Sequence, residues 1–190
     1  MSMQEFHVDP RRYAGRPDGR RSDAEDACYA LLDALKIDYF RADHDPAMTI
    51  PMCHAVERVL GAPICKNLFL CNRQKTQYFL LLMQGDKVFK TKYLSAQLGC
   101  SRLSFADGDD MQKLLGVTPG SASLLALRND VEKRVYLVID RPVLSETMFA
   151  CHPCINTSTV AFSTEALQHR LLPALGHSPS VVELPEEIAE

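Results

Sequence analysis

Three short polar strings carry the side chains of this 190-residue chain that could do chemistry: Lys66-Asn67, Thr118-Pro119-Gly120-Ser121, and Cys151-His152-Pro153-Cys154-Ile155-Asn156-Thr157. Each ends or interrupts an apolar, strand-like run. A lysine at position 66 can lay its four-carbon stem along a sheet while its ammonium reaches into a cleft, as contact with a phosphate or ribose requires. Pro followed by Gly at 119 and 120 favours a tight turn with exposed backbone N–H groups, which can hold a developing oxyanion. A glycine there lets an ester carbonyl approach the main chain. His152 titrates in the range of a general base. Yet no Asp or Glu lies close in sequence to orient it, and no Gly-x-Ser-x-Gly nucleophile motif occurs. A wall or positioning role is therefore the reading for His152. Asn156 and Thr157 can bind a substrate amine and ribose, or brace a turn.

Cys151-His152-Pro153-Cys154 also has Cys-x-x-Cys spacing, which raises redox exchange or half a zinc site. The motif sits late, is followed by Asn-Thr-Ser and a strand rather than opening a helix, and lacks a second ligand pair at metal spacing. No metal and no organic cofactor are expected. Seven cysteines, an odd number spread through apolar stretches, read as reduced thiols.

A formal net charge of −3 argues against a general nucleic-acid coat protein and against DNA as partner. The charge is nevertheless uneven. Residues 66 to 92 carry Lys66, Arg73, Lys75, Lys87, Lys90 and Lys92 against Asp86 alone, which leaves room for a local basic face. No uninterrupted apolar run approaches 18 residues, and the Arg-rich start lacks an apolar core, so neither membrane span nor secretory signal is read and a cytoplasmic protein is expected.

The elements that must position these residues follow from pattern. Residues 1–21 are polar and rich in Arg, Gly and Pro, and read as an arm or loosely docked extension; 22–184 form one domain, and 185–190 an acidic tail. Ser22-Asp23-Ala24-Glu25 is a capping box that opens a helix with Cys28, Leu31, Leu32 and Leu35 on one face. Thr49 can cap a second helix stopped by Gly61. The runs 67–71 and 77–83 make a hairpin around Asn72-Arg73-Gln74-Lys75. Strands at 39–42, 102–105, 134–139, 148–151 and 158–162 and a helix from Thr164 to about Leu172 complete an α+β domain, with a mixed, mainly antiparallel sheet surrounded by helices. Regular pleating would send Lys66 and Asn67 to opposite faces, so both serve one site only where the strand bends or ends.

Several strings together resemble the YbaK/prolyl-tRNA-synthetase-associated editing domains, and most closely their free-standing prolyl-tRNA deacylases: Lys66-Asn67-Leu68-Phe69-Leu70, the Gly120 loop, His152-Pro153-x-x-Asn156-Thr157, and His44-x-Pro46-x-x-Thr49. The likeness spans about residues 24–184. It implies a deacylase acting in trans that hydrolyses alanine wrongly attached to proline tRNA, with the aminoacylated tRNA end as partner and association with a prolyl-tRNA synthetase as an open possibility. It also implies that Lys66 is needed for deacylation, with Gly120 and Ser121 in the catalytic loop beside Thr118 and Pro119. His152 limits the pocket, and the ribose 2′-hydroxyl assists water. Thr49, Asn67, Asn156 and Thr157 are substrate-binding, and Leu124, Met148, Phe149 and His152 form the size filter. The loop continues Ser123-Leu124-Leu125-Ala126 where such deacylases usually have Ser-Pro-Phe-Gly. Two readings compete: a related specificity such as cysteine on proline tRNA, and a non-catalytic tRNA-binding module of the same fold.

Overall fold

The computed structural model describes residues 6–47 and 49–186. Strands Tyr13–Ala14 (β1), Tyr39–Asp43 (β2), Ser158–Ser163 (β8) and Met148–Cys151 (β7) pair antiparallel in that spatial order. A second sheet runs Leu103–Phe105 (β5), Cys65–Asn72 (β3), Tyr78–Gln84 (β4), Val135–Asp140 (β6) and Ser180–Val182 (β9); its β4-β6 and β6-β9 pairs are parallel. The α+β class is as expected from pattern, but the strands divide between two sheets where one was expected.

Helix α1 (Asp23–Ala34) starts on Ser22, whose hydroxyl accepts from the Glu25 N–H at 3.3 Å, and buries Cys28, Tyr29 and Leu32. Glu25 itself turns inward and accepts from the Tyr29 hydroxyl at 2.7 Å. Helix α2 (Ile50–Leu60) ends at Gly61 in a left-handed conformation, φ 67°. Thr49 occupies its N-cap position, but the hydroxyl makes no capping bond; Pro51 in the first turn instead lacks one of the N–H groups that would need a cap. Helices α3 (Thr91–Leu98), α4 (Gly108–Leu115) and α5 (Arg141–Ser145) follow. The last helical stretch, 164–175, contains a π turn at Leu167–Leu171. Among the described residues no helix is long and apolar enough to cross a membrane.

Residues 6–21 are not a loose arm. Tyr13 and Ala14 pair with Arg41 and Phe40, the Asp9 N–H donates to the Asp43 carbonyl at 2.9 Å, and the Arg12 guanidinium lies 4.1 Å from the Phe40 ring centre. The free backbone edge of β2 attracts a strand, and its aromatic and acidic side chains receive the arginines. Of the acidic tail, 187–190 lie outside the described residues.

The second sheet leaves part of one strand edge bare. β5 pairs only with Leu70, Cys71 and Asn72 of β3, and the last bond on that side runs from the Ala106 N–H to the Phe69 carbonyl at 3.0 Å. The first half of β3 therefore has an open edge, and strand alternation turns the backbone polar groups of Asn67 toward it.

Candidate functional site

A cavity of about 460 Å³ lies against that open edge. Lys66 and Asn67 of β3, Cys53, His54 and Glu57 of α2, Pro119 and Gly120 of the turn, and His152 line it. Register along β3 is regular, with Lys66 opposite Met83 and Asn67 opposite Leu82. The two side chains do leave from opposite faces. They reach one cavity because it wraps around an unpaired strand edge.

Lys66 Nζ donates to the Lys87 carbonyl at 2.7 Å, and partial burial lowers its pKa from the ordinary lysine value while Asp86 pulls the other way. That carbonyl is held in turn by a buried ion pair: Lys87 Nζ lies 2.8 Å from Asp140 Oδ2 and 2.9 Å from the Leu184 carbonyl. Lys66 is thus aimed by a fixed acceptor, with its remaining N–H groups available to a substrate.

Thr118-Pro119-Gly120-Ser121 is a type II turn: the Ser121 N–H donates to the Thr118 carbonyl at 3.0 Å, and Gly120 has φ 88°. The turn consumes the Ser121 N–H. The Gly120 N–H bonds to none of the described residues. Beyond it, Leu124–Asn129 forms a buried 3₁₀ helix. Ser123 accepts from the Leu125 N–H at 3.1 Å and donates to the His152 carbonyl at 2.5 Å, while Asn67 Oδ1 accepts from the Leu124 N–H at 3.0 Å. Ser123-Leu124-Leu125-Ala126 therefore ties the turn to β3 and to His152.

The His152 ring is oriented by a relay. Its Nδ1 lies 3.0 Å from the Ser158 carbonyl, which can only accept, so Nδ1 carries the proton and Nε2 is the acceptor. Thr159 Oγ1 sits 3.3 Å from His152 Nδ1 and 2.8 Å from His44 Nε2, and His44 Nδ1 donates to the Asp45 carbonyl at 2.7 Å. Burial pushes the His152 pKa down to about 4, and the neighbouring His44 adds to that, so the ring is neutral at pH 7. A neutral imidazole of such low basicity fits a polar wall better than a proton acceptor.

A family model described as an aminoacyl-tRNA editing domain matches residues 44–169. The chain belongs to that family. This editing domain is a deacylase by that membership. It is 35% identical over 162 residues to the prolyl-tRNA editing protein ProX of Acetoanaerobium sticklandii, covering 85% of this chain and 98% of that one. It is 32% identical over 157 residues to prolyl-tRNA synthetase associated domain-containing protein 1 of Mus musculus, covering 80% and 90%. A solved structure described as a trans-editing enzyme for prolyl-tRNA synthetase shares the fold, with a TM-score of 0.65 at 13% identity, covering 87% of this chain and all of that one.

Not every residue singled out from the sequence reaches the cavity of this editing domain. Lys66, Asn67, Pro119, Gly120 and His152 line it; Thr49, Thr118, Ser121, Met148, Asn156 and Thr157 do not. Asn156 stands just behind, with Oδ1 accepting from the Ala47 N–H at 3.2 Å and Nδ2 3.5 Å from where a side chain on Gly120 would begin. The Thr157 carbonyl accepts from the His44 N–H at 3.0 Å. Of the expected size filter only His152 is on the wall. Alternation along β7 sends Phe149 into the main core and Met148 toward Ala150, Val56 and Leu60, and Leu124 is fully buried in the 3₁₀ helix.

Cys151 is buried, which pushes its thiol pKa up, and the Cys154 sulfur lies 3.4 Å from Cys28 of α1. All seven cysteines are free. The two cysteines of the Cys-x-x-Cys do not act as a pair.

Sequence reasoning missed the wall supplied by α2. Ile50, Cys53, His54 and Glu57 recur at helical spacing on a face distinct from buried Val56 and Leu60, and that second stripe was the available signal. His54 Nε2 lies 2.9 Å from Asp86 Oδ1, and Glu57 Oε1 accepts from the Ile64 N–H at 2.7 Å.

Proposed function

We propose that this protein acts in trans on mischarged proline tRNA and hydrolyses the alanyl ester, releasing alanine and intact tRNA. The observation that carries the reading is the convergence of an aimed ammonium at Lys66, the Gly120 N–H and the His152 ring around one cavity. Water adds to the ester carbonyl carbon, the ester C–O bond breaks, and the proton ends on the ribose oxygen. The Gly120 N–H faces the charge that develops on the carbonyl oxygen, an interaction worth about 2.7 to 4 kcal/mol where such donors have been removed. An α-aminoacyl ester carries an ammonium of its own, so Lys66 belongs toward ribose and phosphate, and Glu57 is the carboxylate of the cavity wall that can receive the amine. The ribose 2′-hydroxyl beside the ester assists the water, as the family resemblance implies.

A second sieve is useful because a site that accepts proline excludes the smaller alanine by only about 1 to 3 kcal/mol. His152, Ile50 and Cys53, all on the cavity wall, limit its size in this reading. The test is hydrolysis of alanyl, cysteinyl and prolyl esters of the same tRNA. Alanyl ester should be cleared at least tenfold faster than prolyl ester, and Lys66→Ala should abolish turnover. Full activity of the Lys66 variant, or preference for the prolyl or cysteinyl form, contradicts the reading.

A further inference from the structure

Phe105 is 62% exposed, large and apolar, at the rim of the cavity. Phe89 holds its ring edge-on, with centroids 6.0 Å apart. The same ring borders a shallow groove that leads away from the cavity, with Arg73, Arg102 and Ser104 on its sides. That groove shares Thr91 and Arg102 with a third concavity bordered by Lys90 and Lys92. Among the described residues no carboxylate lines either groove. Lys75, two residues beyond Arg73, is by contrast already engaged by Asp107 and Asp110. In a chain of net charge −3, two guanidinium groups in a groove without a carboxylate on its walls, beside an exposed ring, are a local departure with an electrostatic consequence.

Resting on the deacylase reading, we propose that this path is the seat of the unpaired 3′ nucleotides of the substrate tRNA. With the terminal aminoacyl ribose in the cavity, the chain of nucleotides must leave across its rim. Phe105 offers a face on which a base stacks whatever its identity, and Arg102 and Arg73 meet the phosphates that follow. A flat aromatic beside a basic groove is how single-stranded nucleic acid is held without sequence readout. Phe105 lines both the cavity and this path, so the ester is delivered to Lys66 and Gly120 by the strand that the groove holds.

The test measures binding, and so does not depend on turnover. Fluorescence anisotropy is run with uncharged proline tRNA and with the same tRNA trimmed of its unpaired 3′ end. Wild type should lose at least fivefold in affinity on trimming, within the range a stacked base contributes. Phe105→Ala should lose most of that discrimination. The double variant R73E/R102E should bind the full tRNA at least tenfold more weakly, with a shallower dependence on salt, by about 0.7 in slope for each phosphate that is no longer neutralised. These are exposed positions, and thermal melts of the variants should match wild type. Equal affinity for full and trimmed tRNA, or R73E/R102E binding like wild type, overturns the proposal. Wild type that binds as expected yet leaves alanyl ester intact overturns the alanyl specificity proposed above and leaves the surface standing.

Discussion

Ser123→Ala tests how the Gly120 turn is held. The Ser123 hydroxyl is fully buried and makes two bonds, donating to the His152 carbonyl and accepting from the Leu125 N–H. Removing it leaves the buried Leu125 N–H and the half-buried His152 carbonyl without that bond. Each orphaned group costs about 1 to 3 kcal/mol, so about 2 to 6 kcal/mol of stability should be lost. For a domain of this size about 1 kcal/mol moves the melting temperature by about 2 to 4 °C, which puts the expected drop between about 4 and 24 °C. The same bonds tie the Gly120 turn to the segment after β7 that bears His152, so kcat on alanyl-tRNA should fall about tenfold while KM moves little, because the groups that bind the ground state are untouched. Differential scanning calorimetry and single-turnover deacylation read the two effects separately. A melting shift below about 2 °C with wild-type kcat would refute the reasoning that the loop is braced through this hydroxyl. A large melting shift with unchanged kcat would refute only its link to catalysis.

Asp140→Ala leaves the buried Lys87 ammonium without its carboxylate, and chemical denaturation should report a loss of about 3 to 5 kcal/mol. Because the Lys87 carbonyl aims Lys66, kcat should fall as well in the fraction that stays folded. Glu57→Gln keeps an acceptor for the Ile64 N–H but removes the charge facing the substrate amine, so KM for alanyl-tRNA should rise about fivefold with the melting temperature within about 2 °C of wild type. His152 titrates near 4 in the folded chain and near 6.5 when unfolded. Its contribution is therefore complete above about pH 6.5 and declines as pH falls toward 4, by about 3 kcal/mol in all. Buried His44 shifts in the same direction, so the comparison is between wild type and His152→Gln in urea melts at pH 7 and pH 4.5. Identical pH dependence in the two proteins would remove His152 as a cause.

Much of the scaffold was legible because its signals are local. A serine followed three residues later by glutamate opened α1 where it was expected, and Gly61 ended α2 in the left-handed conformation. The two apolar runs around Asn72-Arg73-Gln74-Lys75 paired as a hairpin. Thr49 shows the limit of such reasoning: its residue type suits a cap and it stands at the cap position, but its hydroxyl makes no capping bond.

Residue type and spacing, on their own, singled out Lys66, Asn67, His152 and a Pro-Gly turn, which line the cavity, but not the α2 wall of Cys53, His54 and Glu57. Whether Lys66 and Asn67 could share a site was decided by the length of β5, whose pairing stops at Leu70 and leaves the strand edge bare. The aim of Lys66 depends on a buried ion pair formed across the fold by Lys87 and Asp140. The tautomer of His152 depends on Ser158, Thr159 and His44, brought together by the pairing of β2 with β8. Contacts within a few residues are set by backbone stereochemistry and so can be read along the chain. Contacts between distant segments exist only once the sheets have closed, because it is the burial of their shared apolar faces that selects one pairing among the many that local pattern allows.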